Sequence, residues 1–153
     1  MDKMIIQKET LEELADALRE KFKSDEYADI ALSLISNKDN ITNFTVPNSV
    51  TSIGDGAFCF SSKLTSIDLP DSITSIGNSA FYVCDKLVLT KLPEGVTSIG
   101  DNAFRQCTNL ALTELPNGIT SIGFGAFLFC ENLALTRLPS SLTSIGESAF
   151  ADC

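Results

Sequence analysis

The sequence predicts an α/β solenoid, in which short coils of one pattern stack on one another. Its five prolines lie 23 residues apart, at Pro47, Pro70, Pro93, Pro116 and Pro139. An unbroken Thr-Ser-Ile-Gly follows each proline, with its isoleucine at Ile53, Ile76, Ile99, Ile122 and Ile145. An Ala-Phe pair then ends at Phe58, Phe81, Phe104, Phe127 and Phe150. One such coil cannot bury its apolar residues alone, so five in-register copies predict a stacked array.

A fixed period of about 20–29 residues that is rich in Leu and Ile is typical of a leucine-rich-repeat solenoid. Within one coil, the alternation from Leu64 to Leu69 predicts a strand that Pro70 ends. Residues 73–76 can form a second extended piece, and Gly77 permits a turn with positive φ. Asn78 and its counterparts Asp55 and Asp101 can cap one helical turn that carries the Ala-Phe pair. We expect about five coils over residues 41–153, with short parallel strands and one helical turn each.

A helical segment is predicted before the array. Thr10 and Glu13 have the spacing of a capping box. Apolar residues at helical intervals follow from Leu11 to Phe22 and predict a helix over about 10–23. Ser24-Asp25 can begin a second helix. Residues 1–40 are therefore predicted to form an N-terminal helical capping segment on the array at 41–153.

Charge and hydropathy exclude some classes of partner. The net charge of −9 disfavours phosphate backbones, so we expect no nucleic-acid partner. No run of about 18 apolar residues is present, which argues against a membrane span. The first eight residues lack the apolar core of a signal peptide, so none is expected in the chain as written.

Catalytic chemistry is not expected. The chain contains no histidine, which removes the usual triads, most zinc sites and the neutral-pH proton shuttle. The glycines recur with the 23-residue period and serve turns, so no phosphate loop is indicated. The sequence predicts a non-enzyme without cofactor or metal.

Four of the five cysteines share the period, at Cys84, Cys107, Cys130 and Cys153, and Ser61 holds the place in the first coil. Such a column could bind a soft metal or form disulfides between coils. The alternative is a small buried apolar side chain in each coil, and the serine favours this alternative. Cys59 lies outside the column and is the better candidate for a reactive thiol.

Positions that vary within the fixed frame are candidates for a binding surface. Lys91, Glu114 and Arg137 follow Asp68 in one column with alternating charge, which favours either register or recognition. Leu89, Leu112 and Leu135 form a neighbouring column. Strict alternation turns these leucines outward as an adhesive stripe, whereas a bulge turns them into the core. The Thr-Ser pairs could bind glycans, but hydrogen-bonded ladders between coils are the favoured interpretation.

Two apolar edges complete the candidates. Off-consensus apolar residues mark the predicted helical edge as an interface or as packing between loops, namely Phe60, Tyr82, Val83, Phe124, Leu128 and Phe129. No later residue covers the last coil, so we expect either a self-association edge at Leu138, Leu142, Ile145 and Phe150 or a chain that is a fragment of a longer array.

The repeated unit is clearest from Leu92 to Leu110, with the form Leu-Pro-x-x-Val-Thr-Ser-Ile-Gly-x-x-Ala-Phe-x-x-Cys-x-x-Leu. This sequence motif resembles the BspA-type leucine-rich repeat, also called the Treponema pallidum type, over residues 41–153. The variant Leu-Ala-Leu-Thr-x-Leu-Pro at 110–116 and 133–139 bears a weaker resemblance to prophage-encoded repeat proteins of gut bacteria.

The first resemblance implies a bacterial surface or extracellular protein, and the second implies association with a virion. We expect a non-catalytic binding and adhesion module whose ligand is a protein or a glycan. The alternative is a structural component, such as part of a phage tail, that docks through the N-terminal helix and the open C-terminal edge.

Overall fold

The computed structural model describes residues 41–153, which form stacked coils with seven short strands. The strands are β1 (Asn43–Thr45), β2 (Ser52–Ile53), β3 (Ser66–Asp68), β4 (Ser75–Ile76), β5 (Ser98–Ile99), β6 (Ser121–Ile122) and β7 (Ser144–Ile145). All pairings are parallel, and each residue pairs with the residue 23 positions later, as Ser75 does with Ser98. The predicted stack and its register are confirmed. The predicted helices at 10–23 and after residue 24 lie outside the described residues.

The strands form two sheets on different sides of the coil. The first sheet contains β1 and β3, and the second has the order β2-β4-β5-β6-β7. Each strand of the second sheet is a Ser-Ile pair whose isoleucine faces the core, and Ile53, Ile76, Ile99 and Ile122 are at most 2% exposed. The exception is Ile145 in the last coil, which is 48% exposed.

The first sheet ends after two strands because the inward-facing position moves by one residue. In β3 the inward residue is Ile67, which is 7% exposed. In the next coils the counterparts of Ile67 are threonines, and the leucine one position earlier turns inward instead. Leu112 is fully buried, while Leu89 and Leu135 are partly buried against the core. Because side chains alternate along a strand, a one-residue shift exchanges its two faces.

The interpretation of these leucines as an outward adhesive stripe is therefore wrong, and the inward alternative is correct. Burial of Leu112 leaves no side-chain surface for a ligand. The coils remain connected on this side by isolated backbone hydrogen bonds, such as Ala111 N–H to Leu89 O at 3.2 Å and Ala134 N–H to Leu112 O at 3.0 Å.

The third side of each coil is a series of β-turns, and the predicted helical turn is not confirmed over residues 41–153, where the structure describes strands and turns only. Alternate N–H groups bond within the coil, as Tyr82 donates to Ser79 O at 3.2 Å. The N–H groups between them bond to the next coil, as Phe81 donates to Ala103 O at 2.7 Å. A continuing helix would direct successive N–H groups, not alternate ones, to its own carbonyls. Positive φ at Ser79 (53°) and Val83 (57°) also breaks helical geometry.

The core is built from columns of identical residues. Phe58, Phe81, Phe104, Phe127 and Phe150 stack with ring centroids 5.1 to 5.5 Å apart and planes within 7° of parallel. Phe44 continues the column, edge-on to Phe58 at 5.4 Å. Each stacked ring covers the apolar face of its neighbour, so the array buries area that a single coil would expose.

The cysteine column lies beside the phenylalanines. Cys84, Cys107 and Cys130 are fully buried, which confirms the interpretation as core residues. Each thiol donates to a phenylalanine carbonyl of the preceding coil at 3.0 Å, as Cys107 Sγ does to Phe81 O. Cys153 makes the same bond to Phe127 O but is exposed in the last coil. Cys59 is partly exposed.

Candidate binding surfaces

An open groove of about 410 Å³ runs along the second sheet, lined by residues of five successive coils from Asp55 to Ser144. Its floor is the sheet itself, and one wall is formed by Asp55, Asn78 and Asp101. Four serines line it, namely Ser75, Ser98, Ser121 and Ser144. We name this surface the serine groove.

The wall of the serine groove is a ladder of acid and amide side chains. Asp55 Oδ1 accepts the N–H of Asn78 at 2.6 Å, and Asn78 Oδ1 accepts the N–H of Asp101 at 2.8 Å. Asp101 Oδ1 continues the ladder by accepting the N–H of Phe124 at 2.7 Å. These side chains were expected to cap helical turns, and they instead bond to the following coil.

Glycine keeps the floor of the serine groove bare. A Cβ atom on Gly77 would lie 2.5 Å from Asp55 Oδ1 and 2.7 Å from Asp55 N. A Cβ atom on Gly123 would lie 2.5 Å from Asp101 N. Neither glycine has positive φ, so the expected reason for Gly77 is wrong. Glycine is required here because the coils approach closely.

The two hydroxyls of each Thr-Ser pair have different roles. The threonines form the predicted ladder, since Thr97 Oγ1 donates to Thr74 O at 3.2 Å and Thr120 Oγ1 to Thr97 O at 3.2 Å. The hydroxyls of the four groove serines form no hydrogen bond to another residue within 41–153.

A second surface lies on the side formed by the β-turns and consists of Phe60, Tyr82, Arg105, Leu128 and Phe129. We name it the turn-edge patch. Phe60 packs edge-on against the ring of Tyr82 with centroids 5.2 Å apart. The Arg105 guanidinium lies 5.8 Å from the Tyr82 centroid and donates to Asn102 Oδ1 at 3.4 Å. Phe60 and Phe129 are 58% and 37% exposed.

Val83 is half-buried beside this patch, and Phe124, at 44% exposed, lies in the column of the groove wall.

The charged column of Asp68, Lys91, Glu114 and Arg137 is exposed on another side. In it, Arg137 Nη2 lies 4.0 Å from Glu114 Oε2, and both side chains are more than half exposed. An exposed ion pair of this kind contributes little to the free energy of unfolding. Asp68 and Lys91, the earlier members of the charged column, are also exposed.

The last coil presents an apolar edge. Leu138 is 46% exposed, and Leu142 and Phe150 are partly buried. A depression of about 320 Å³ lies here, lined by Leu133, Leu135, Thr136, Arg137, Leu138, Phe150 and Cys153. Of the four residues predicted for self-association, Leu138 and Phe150 line this depression, whereas Leu142 and Ile145 do not.

Burial sets the chemistry of the thiols. Desolvation raises the pKa of Cys130 to about 12, with a smaller contribution from Cys153. Desolvation also raises the pKa of Cys107 well above its usual value. Neutral thiols are poor nucleophiles and poor metal ligands. No group of three or more Cys, Asp or Glu side chains in the described part of the chain has the geometry to hold a metal ion.

Sequence reasoning missed the serine groove as a whole. The signals were present: a serine preceding each core isoleucine, an Asx column and a glycine column, all on the same period. Phe124 departs from the Asx column, and the prediction assigned it to the turn side.

Across residues 41–153, no helix is long and apolar enough to cross a membrane.

Comparison with known proteins agrees with this architecture. The model of the BspA type leucine rich repeat region matches residues 29–153 in six copies, beginning inside the predicted capping segment. The structure is similar to a leucine rich repeat protein of T. pallidum, with a TM-score of 0.67 and 32% identity over 73% of this chain and 55% of that chain. A leucine-rich repeat protein of Bacteroides ovatus is similar as well, with a TM-score of 0.66 and 33% identity over 71% of this chain and 30% of that chain.

A leucine rich cell surface protein of Faecalibacterium prausnitzii is also similar, with a TM-score of 0.51 and 28% identity over 74% of this chain and 46% of that chain. The chain thus spans about half or less of the length of these three proteins. No protein among the curated ones matches the chain in sequence. Repeats of this kind are typically non-catalytic scaffolds that mediate protein interaction. The repeat pattern, the parallel register and the match over residues 29–153 agree: the chain belongs to the BspA-type leucine-rich-repeat family.

Proposed function

We propose that the chain is a non-catalytic adhesion module of a bacterial surface protein, and that it binds a protein ligand through the turn-edge patch. The similarity to a leucine rich cell surface protein supports the location. The exposed aromatic side chains of Phe60 and Phe129 support the choice of patch. Catalysis, a cofactor and a metal have no part in this proposal.

The observation that carries the proposal is the exposure of the Phe60 and Phe129 rings, at 58% and 37%. Positive φ recurs throughout their column, at Val83, Gln106 and Asp152 as well, so the left-handed backbone belongs to the frame and not to the rings. Gln106 and Asp152 also show that the frame does not require an aromatic ring at this position. A large ring exposed where a polar side chain suffices is best explained by a contact with another molecule.

The composition of the patch suits a protein partner. Tyr, Phe and Arg are enriched at the centres of protein interfaces, because they offer large contact area and directed hydrogen bonds. Arg105 is held against Tyr82, so part of its conformational entropy is already lost before binding.

The test is adhesion of beads coated with the chain to cultured epithelial cells. The variant Phe60→Gln/Phe129→Gln copies the residue found at position 106, so its backbone is compatible with the fold. We expect at least a tenfold loss of adhered beads with this variant and after protease treatment of the cells. The control Val88→Gln, at a 54% exposed position outside the patch, should adhere like the parent. Equal adhesion by parent and double variant contradicts the proposal.

A further inference from the structure

The serine groove has hydrogen-bonding capacity that the fold does not use. The threonine hydroxyls beside it are occupied by the carbonyls of the preceding coil. The serine hydroxyls in it bond to no other residue within 41–153, although each can both donate and accept. The wall residues Asp55, Asn78 and Asp101 each engage one oxygen in the ladder, which leaves the rest of each polar head for a ligand.

The spacing of these groups is regular. Successive coils of a parallel ladder lie about 4.8 Å apart, so a serine and an Asx side chain recur at that interval along the groove. A ligand that engages all four serines must be extended and must present polar groups at a similar repeat. A single small molecule would use only one or two coils.

The charge and polarity of the lining residues limit which classes of ligand can bind. The carboxylates of Asp55 and Asp101 disfavour an anionic polymer, as does the net charge of the chain. The apolar lining residues Ile76, Ile99 and Ile122 are each 2% exposed, so the groove has no pocket for an apolar peptide side chain. The serine hydroxyls and the remaining polar atoms of the wall can donate to and accept from sugar hydroxyls, so a neutral polymer rich in hydroxyl groups is compatible with this lining.

Phe124 supplies an independent observation. It occupies the position after Asp101 in the wall, where an Asx side chain would accept the N–H of Glu147. That N–H has no acceptor within residues 41–153. The ring is 44% exposed beside Gly123, which lines the groove. Phe124 thus costs the wall one hydrogen bond and places an exposed aromatic side chain next to Gly123 of the groove.

We propose that the serine groove binds a neutral linear polysaccharide. The sugar hydroxyls bond to the serine hydroxyls and to the wall residues, and one sugar ring stacks with its C–H face on Phe124. This site is separate from the turn-edge patch, and the two can be tested independently.

The test is retardation of the full chain in native gels that contain a mannan, a β-glucan, a galactan or a dextran, with chondroitin sulfate as the anionic comparison. We expect retardation by at least one neutral polymer and none by chondroitin sulfate. Ser98→Ala/Ser121→Ala removes two hydroxyls without an intramolecular partner. It should weaken binding about tenfold with an unchanged thermal midpoint. The control Thr90→Ala/Thr113→Ala removes two exposed hydroxyls outside the groove and should bind normally.

Phe124→Asn gives a second readout. The new amide continues the ladder to Glu147, so the thermal midpoint should rise while polysaccharide binding falls. Phe60→Gln/Phe129→Gln should retain polysaccharide binding. The proposal is overturned if no neutral polymer retards the chain or if the serine variant binds as well as the parent. It is equally overturned if the serine variant loses adhesion to protease-sensitive cell proteins, because the groove would then be a protein site.

Discussion

At the scale of single residues, glycine has two distinct roles in this chain. Gly56 and Gly125 adopt positive φ, at 64° and 56°, where a side chain would be strained. Gly100 has ordinary φ but no space, since a Cβ atom would lie 2.7 Å from both Asn78 N and Gly77 C. These neighbours are backbone atoms held by hydrogen bonds between coils, so they cannot move aside cheaply.

Gly100→Ala should therefore reduce the free energy of unfolding by about 1–3 kcal/mol, the usual cost of overpacking. Gly118→Ala is the matched control, because its nearest atoms would be 3.9 Å from the new Cβ. It should be neutral, or stabilising by up to about 1 kcal/mol. Urea denaturation of both variants measures the difference. Equal effects would mean that close approach at position 100 does not determine the choice of glycine.

At the scale of one column, the buried thiols give stability a pH dependence. Burial raises the pKa of Cys130 from 9.0 to about 12, so the folded state keeps its proton where the unfolded chain loses it. A raised pKa adds stability that is fully present below the unfolded value of about 9. This contribution is lost as the pH rises from about 9 towards 12.

The urea midpoint should consequently fall between pH 9 and 11 more steeply for the parent than for Cys130→Ala. The substitution also removes the bond to Phe104 O, so the slope against pH, not the absolute midpoint, is the quantity to compare. Identical slopes would contradict the role of this thiol. Cys107, whose pKa is also raised by burial, should contribute to the slope that remains.

The coil is also the scale at which sequence reasoning succeeded and failed. The 23-residue period fixes which residues stack, so register, core isoleucines and the phenylalanine column could be predicted. The β-turns could not be distinguished from a helical turn, because both bring Ala80, Phe81 and Cys84 to one side. What separates them is the bonding of alternate N–H groups to the next coil, which local spacing does not show.

Two further features escaped prediction for the same reason. Whether Leu112 faces inward depends on where the strand pairing stops, because Leu112 and Leu115 are three residues apart and cannot both face inward under strict alternation. The serine groove requires the relative orientation of two columns that are separated by the turn at Gly100. The partners of these residues lie in the neighbouring coil, so their roles emerge only once coils are stacked.

At the scale of the whole molecule, stability is carried by contacts between neighbouring coils. Phe104 is fully buried and stacks on both sides, against Phe81 at 5.1 Å and Phe127 at 5.5 Å. Phe150 is partly buried and has one stacked neighbour, Phe127, at 5.3 Å. An array of this kind gains stability from each interface between adjacent repeats, so an interior defect affects two interfaces and a terminal defect affects one.

Phe104→Ala should accordingly cost about 3–5 kcal/mol of unfolding free energy, the usual value for a buried phenylalanine, and Phe150→Ala clearly less. The interior variant should also unfold with a lower denaturant slope, because coils on the two sides of the defect lose their coupling and separate transitions begin to overlap. Urea unfolding followed by far-ultraviolet circular dichroism measures both quantities. Similar costs and slopes for the two variants would show that the array unfolds as one unit, with a stability that does not depend on the position of the coil.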